Sequence, residues 1–136
     1  MRKEVKAAMK GLVENEGKFL VIELKLGKET FWDLPGGKVE FGEDPLETLA
    51  REMDEETGLK IIPGAPAGMY HFFRKNDGHQ VVCTVYRCSV EGKLQVILPH
   101  ASNENIQQYK WVTPAEFLSK EFKVSHDSIK ELFKKL

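Results

Sequence analysis

A chain of 136 residues falls within the usual range of one domain and can bury a single core, so one domain spanning residues 1–136 is expected. Its residues are 41% hydrophobic and 30% charged, which fits a soluble globular protein and excludes a disordered or membrane-embedded one. With 20 basic residues against 21 acidic ones the net charge is -1, so no global field recruits nucleic acid or anionic lipid, and any charge-based function must be local.

The stretch from Met1 to Val13 holds no apolar run of the kind found in secretory leaders, and no later run approaches membrane-spanning length. A cytoplasmic protein with no membrane association is the expectation. Cys83 and Cys88 are the only cysteines. Their odd separation on one predicted strand points them to opposite faces, against a mutual disulfide or a metal pair.

In chain order, loose alternation through Val5, Ala7, Met9, Gly11 and Val13, then Glu14-Asn15-Glu16-Gly17 and Phe19 to Ile22, predicts a β-hairpin. Thr30 to Leu34 reads as a short extended piece, broken by Pro35-Gly36-Gly37. A helix is predicted from Pro45 to Thr57, because Asp44 can cap it, Pro45 suits its first position and Gly58 suits the left-handed exit. Met69–Phe73 and Gln80–Val90, flanking the turn Asn76-Asp77-Gly78, are predicted strands, with further extended pieces at Leu94–Leu98 and Tyr109–Val112. Thr113-Pro114-Ala115-Glu116 carries the capping-box pattern of a short helix, and Ser125–Leu136 has Ile129, Leu132, Phe133 and Leu136 at helical spacing. No repeat or linker interrupts the chain, which reads as α+β or α/β/α on a mixed sheet.

The chemistry concentrates on the first helix. Glu52, Glu55 and Glu56 stand at spacings i, i+3 and i+4, which gathers three carboxylates on one stripe. Like charges so placed repel, and a bound cation is the natural compensation, with hard oxygen ligands selecting Mg²⁺ or Mn²⁺. Leu46, Leu49, Ala50, Met53 and Thr57 form the packing face. Arg51 can hold Glu55 four residues on, with Glu43 a second partner, and so orient the ligands. Pro35-Gly36-Gly37 lets backbone groups approach a metal or phosphate, and the turn is expected to face the glutamates. A glutamate-rich helix usually signals solubility alone, and E-x-x-E-E by itself would not outweigh that. The flanking residues do.

Gly37, five residues, Glu43, seven residues and then Arg51-Glu52-Met53-Asp54-Glu55-Glu56-Thr57-Gly58-Leu59 matches the box of the Nudix hydrolase family at every specified position. Leu34-Pro35-Gly36-Gly37 is similar to the usual lead-in of that family, and Trp111 to Phe117 resembles its common strand-to-helix ending. The resemblance implies an α/β/α sandwich, with the box as a loop-helix-loop, and metal-dependent hydrolysis of a nucleoside diphosphate linked to a further group. It implies Glu52, Glu55 and Glu56 as metal ligands, the Gly36 carbonyl as another, Arg51 and Glu43 as the orienting pair, and Glu52 or Glu55 as candidates for activating water. Many relatives carry one more metal-binding glutamate six residues before the late tryptophan. Here that position is Asn105, and the neighbouring Glu104 is the candidate substitute.

Trp32 and Asp33 directly precede the glycine turn and are candidate substrate contacts, with Gly37 and Lys38 as candidates for phosphate. The expected substrate is a free or modified nucleoside triphosphate, cut to monophosphate and pyrophosphate by a small MutT-like enzyme, monomeric or homodimeric. ADP-ribose or a nucleotide sugar is the alternative within the enzyme class. A non-catalytic ligand sensor is the alternative outside it, against which Arg51, Glu52, Glu55 and Glu56 all stand intact.

Overall fold

The computed structural model describes residues 2–99 and 105–136. Seven strands, β1 (Val5–Asn15), β2 (Lys18–Leu26), β3 (Glu29–Asp33), β4 (Gly36–Lys38), β5 (Lys60–Phe73), β6 (Gln80–Glu91) and β7 (Ile106–Val112), are joined by α1 (Pro45–Thr57), α2 (Pro114–Phe117) and α3 (Ser128–Phe133). The strand path is β3-β2-β1-β6-β5, with β4 added to β1 and β7 to β2. The expected hairpin exists only at its tip, where Glu14 pairs with Phe19 and Asn15 with Lys18. The rest of β1 leaves β2 and runs between β6, to which it is parallel, and β4, to which it is antiparallel. That parallel pair makes the sheet mixed, as expected. Hydrophobic alternation reports which residues turn inward, but it does not report the neighbouring strand.

The two faces of β1 carry two cores. Ala8 and Leu12 join Val81, Cys83, Val85, Phe117, Ile129, Leu132 and Phe133 under α2 and α3. Met9 and Val13 join Leu49, Met53, Leu59 and Cys88 under α1. The result is the α/β/α layering expected from the sequence, with α1 on one face of the sheet and α2 and α3 on the other. At Gly11 the close approach is visible, since a Cβ there would stand 2.7 Å from the Met53 sulfur.

Asp44 caps α1 by accepting the amides of Leu46 and Glu47, and Gly58 closes it in the left-handed conformation. Thr113 and Glu116 complete the expected capping box. Three expectations change. Leu46 is 41% exposed instead of packed, its first-turn neighbours Pro45 and Glu47 are exposed too, and burial of α1 begins at Thr48. The segment 94–98 is not a strand. Its backbone is spent on the end of α1, with the Ile97 amide donating to the Thr57 carbonyl at 2.8 Å. The final helix is shorter than Ser125–Leu136 and begins at Ser128, whose amide and hydroxyl both meet His126 Nδ1, with the hydroxyl also on the His71 carbonyl. No helix among the described residues is long and apolar enough to cross a membrane.

Cys83 and Cys88 are free and lie in the two different cores, as their spacing predicts. Burial pushes each thiol up to about 11. At pH 8 only about one in a thousand of either is the reactive thiolate. Native protein is therefore expected to resist iodoacetamide at pH 8 over a time in which urea-unfolded protein takes up two labels by mass spectrometry. Rapid labelling of the native chain would contradict this placement.

Candidate active site

Tight backbone packing sets the geometry of the glycine turn. Gly11 donates to the Pro35 carbonyl at 2.9 Å, and Gly36 and Gly37 then pair with Lys10 and Met9 of β1. Gly36 has φ 146°, and a Cβ on it would stand 2.0 Å from the Met9 carbonyl oxygen. Only glycine fits there.

Helix α1 lies across this turn, as its sequence leads one to expect. Glu56 is only 4% exposed, and its Oε1 accepts the Gly36 amide at 2.8 Å. Glu52 rests on Gly37 so closely that a Cβ at 37 would come within 2.4 Å of the Glu52 carboxyl carbon. Glu55 is exposed. The stripe is therefore three carboxylates in three environments, one buried against backbone, one on a glycine and one in solvent.

Arg51 gathers the site. Its Nη2 donates to Glu43 at 3.1 Å, and its Nη1 to Glu52 at 3.1 Å and to Glu55 at 3.3 Å. The sequence identified Glu43 and Glu55 as partners, and the fold adds Glu52. Glu55 first, then Glu52 and Glu43, raise the pKa of the guanidinium above its ordinary value. The carboxyl of Glu43 is held below its ordinary range, chiefly by the Glu40 amide donating to it at 2.8 Å and also by Arg51. Among the described residues, no group of three or more His, Cys, Asp or Glu side chains is set to hold a metal ion, and Glu52 and Glu55 turn toward Arg51.

The candidate substrate contacts separate. Lys38 is exposed at the end of β4, beside Gly37. Trp32, a candidate substrate contact, is 6% exposed and packs edge-on against Phe122 at 5.1 Å, with the Lys110 ammonium 5.7 Å from its ring centre. The core uses that ring because β3 turns it under α2 and α3. Asp33 accepts the Leu34 amide, the Tyr70 hydroxyl and the Lys10 ammonium, so both carboxylate oxygens are engaged within the protein. Glu104 lies outside the described residues. Asn105 has φ 53°, and its carbonyl accepts the Lys25 amide at 3.1 Å.

Sequence reasoning passed over Lys10, which is 7% exposed and reaches both Asp33 Oδ2 and the Leu34 carbonyl at 3.2 Å. The alternation through Val5, Ala7, Met9, Gly11 and Val13 sets Lys10 on the face that reads as outward, and only the fold, which buries Ala8 and Leu12 on that face as well, gives it buried partners.

A loop-helix-loop on a mixed sheet, with an arginine binding three glutamates beside a glycine turn, defines a Nudix fold with an intact box. The family model of the NUDIX domain matches residues 4–133, and the chain belongs to the Nudix hydrolase family. It is 32% identical over 105 residues to a MutT-like protein of Streptomyces ambofaciens, covering 77% of this chain and 61% of that protein. It is also 32% identical over 109 residues to the phosphatase NudJ of Escherichia coli K12, covering 79% of this chain and 67% of that one. The chain thus spans about two thirds or less of these relatives' lengths. The crystal structure of a MutT protein from Methanosarcina mazei Go1 superposes with a TM-score of 0.77 at 27% identity, covering 99% of this chain and 94% of the other.

Proposed function

We propose that this chain hydrolyses the diphosphate linkage of a nucleoside diphosphate joined to a further group, with a free or modified nucleoside triphosphate as leading substrate. The products are then nucleoside monophosphate and pyrophosphate. One observation carries the reading: Arg51 binds Glu43, Glu52 and Glu55 together, beside a turn on which Glu52 and Glu56 rest. Nudix enzymes act on small nucleotide-like substrates. The likeness to a MutT-like protein and to a MutT structure supports the small MutT-like reading, and the substrate panel below decides between triphosphates and ADP-ribose or nucleotide sugars.

By donor type the set suits Mg²⁺ or Mn²⁺, with Glu52 and Glu55 turning from Arg51 to the ion. The carboxylates of Glu52, Glu55 and Glu56 and the carbonyl of Gly36 are hard oxygens, and Gly37 leaves clear the space beside Glu52 that a side chain would fill. When bound, a divalent cation neutralises charge on the phosphates and lowers the pKa of the attacking water. The chain supplies the rest. Arg51 orients the carboxylates, and Glu52 or Glu55 takes the proton as the water oxygen bonds to phosphorus and the anhydride bond breaks. In this reading Gly37, through its backbone, and Lys38, exposed at the end of β4, meet phosphate oxygens. Glu104 is retained as a candidate further ligand.

The test is release of phosphate and pyrophosphate from nucleoside triphosphates, damaged nucleotides, ADP-ribose and nucleotide sugars, each with Mg²⁺, with Mn²⁺ and with chelator. Metal-dependent turnover of a triphosphate, abolished by chelator, is expected. Binding of nucleotides with no turnover of any of them would replace hydrolysis with ligand sensing.

A further inference from the structure

We infer that Lys10, a lysine outside the glutamate box and on a different strand, is a positioning residue that clamps the glycine turn against the helix carrying the carboxylates. The inference rests on the hydrolase reading above for its effect on metal, but its structural half can be tested without it.

The geometry is a chain of short links. Lys10 Nζ donates to the Leu34 carbonyl and to Asp33 Oδ2, both at 3.2 Å. The other oxygen of Asp33 accepts the Leu34 amide at 2.8 Å and the Tyr70 hydroxyl. The ammonium therefore holds the two residues that lead into Pro35 and Gly36 by a carbonyl and by a carboxylate. From Gly36 the next link is its amide on Glu56 Oε1 at 2.8 Å, and from Gly37 the next is the Glu52 side chain. A shift of the turn would thus be felt at both glutamates.

A buried ammonium is costly unless paired, and Lys10, 7% exposed, is paired with Asp33 and the Leu34 carbonyl. Burial works against its charge, yet Asp33, then Cys83 and Glu56, outweigh burial and raise its pKa above that of free lysine. Tyr70 is pushed well above its ordinary value by burial and then by Asp33, so it stays a neutral donor. Lys10 remains a cation and Asp33 remains satisfied. The pair acts as a bracket through its hydrogen bonds, Lys10 Nζ on Asp33 Oδ2 and on the Leu34 carbonyl.

Outer partners that orient ligands change metal affinity or activity by about ten- to a hundredfold when removed. The measurements are Mn²⁺ binding, followed by the paramagnetic resonance of the free ion, and amide hydrogen exchange at Gly36. Lys10→Met removes the charge and the donor at nearly constant length. Lys10→Met combined with Asp33→Asn removes both charges together, so that no unpaired buried ion is left if the single variant fails to fold. Lys10→Arg restores a donor.

The expected result is about tenfold or more weakening of Mn²⁺ binding in the charge-free variants. Gly36 exchange should rise by a similar factor while amides in the middle of α1 keep their protection, and Lys10→Arg should recover part of both. Folded charge-free variants with wild-type Mn²⁺ affinity and wild-type Gly36 exchange would overturn the inference. So would uniform loss of protection across the sheet, since that marks a merely structural lysine. If the wild type itself binds no Mn²⁺, the hydrolase reading falls, and Gly36 exchange alone decides whether the clamp exists.

Discussion

Glu56→Gln is expected to lower turnover by at least about a hundredfold while leaving the fold intact, the loss typical when a group that holds a catalytic metal is removed. The substitution is informative because of how Glu56 sits. Its Oε1 accepts the Gly36 amide at 2.8 Å, and a glutamine carbonyl can accept the same bond. Glu56 is also 4% exposed, so glutamine, being of equal size, causes no packing defect. What changes is the charge, and with it one of the groups that hold Lys10 protonated. Steady-state kinetics on the substrate that turns over, together with a thermal melt, check the expectation. Wild-type turnover in Glu56→Gln would remove Glu56 from the proposed ligand set.

The second large effect separates two neighbouring glycines. Gly36→Ala places a Cβ 2.0 Å from the Met9 carbonyl oxygen at a φ of 146°. The obstacle is backbone in the β1–β4 pairing, which cannot rotate away. A loss of about 2 to 4 kcal/mol is expected, or about 8 to 16 °C in Tm for a domain of this size. In Gly37→Ala the nearest atoms a Cβ would meet all belong to the Glu52 side chain, 2.4 Å at its carboxyl carbon, and that side chain can swing aside. Its stability should change by less than about 1 kcal/mol, whereas turnover should fall about tenfold or more because a proposed ligand is displaced. Thermal melts and turnover of both variants give the comparison. Equal losses of stability, or full turnover in Gly37→Ala, would contradict the packing described for Glu52.

Much of the site was legible before any coordinates. Asp44, Pro45 and Gly58 fix the ends of α1 through local backbone chemistry. The 3.6-residue period then places Arg51 over Glu55. Such features depend on residues within a turn or two of one another. The partners of Lys10 were not legible, because Asp33 lies 23 residues on and Tyr70 contacts Asp33 across 37. The burial of Trp32 was not legible for the same reason, since Phe122, the ring that covers it, is far along the chain. Likewise the 94–98 segment has the apolar content of a strand, but its amide at Ile97 finds the end of α1 rather than a neighbouring strand.

The sequence by itself therefore determined the family, the helix that carries the carboxylates and the spacing of Arg51 with Glu52, Glu55 and Glu56, since caps, helical period and glycine conformation act locally. Only the tertiary structure decided that β1 abandons β2 to run between β4 and β6, that Glu56 is buried on Gly36 while Glu55 faces solvent, and that Lys10 stands behind the turn. Those outcomes depend on which distant strands meet, and an inward-facing residue does not encode the identity of the partner it will find.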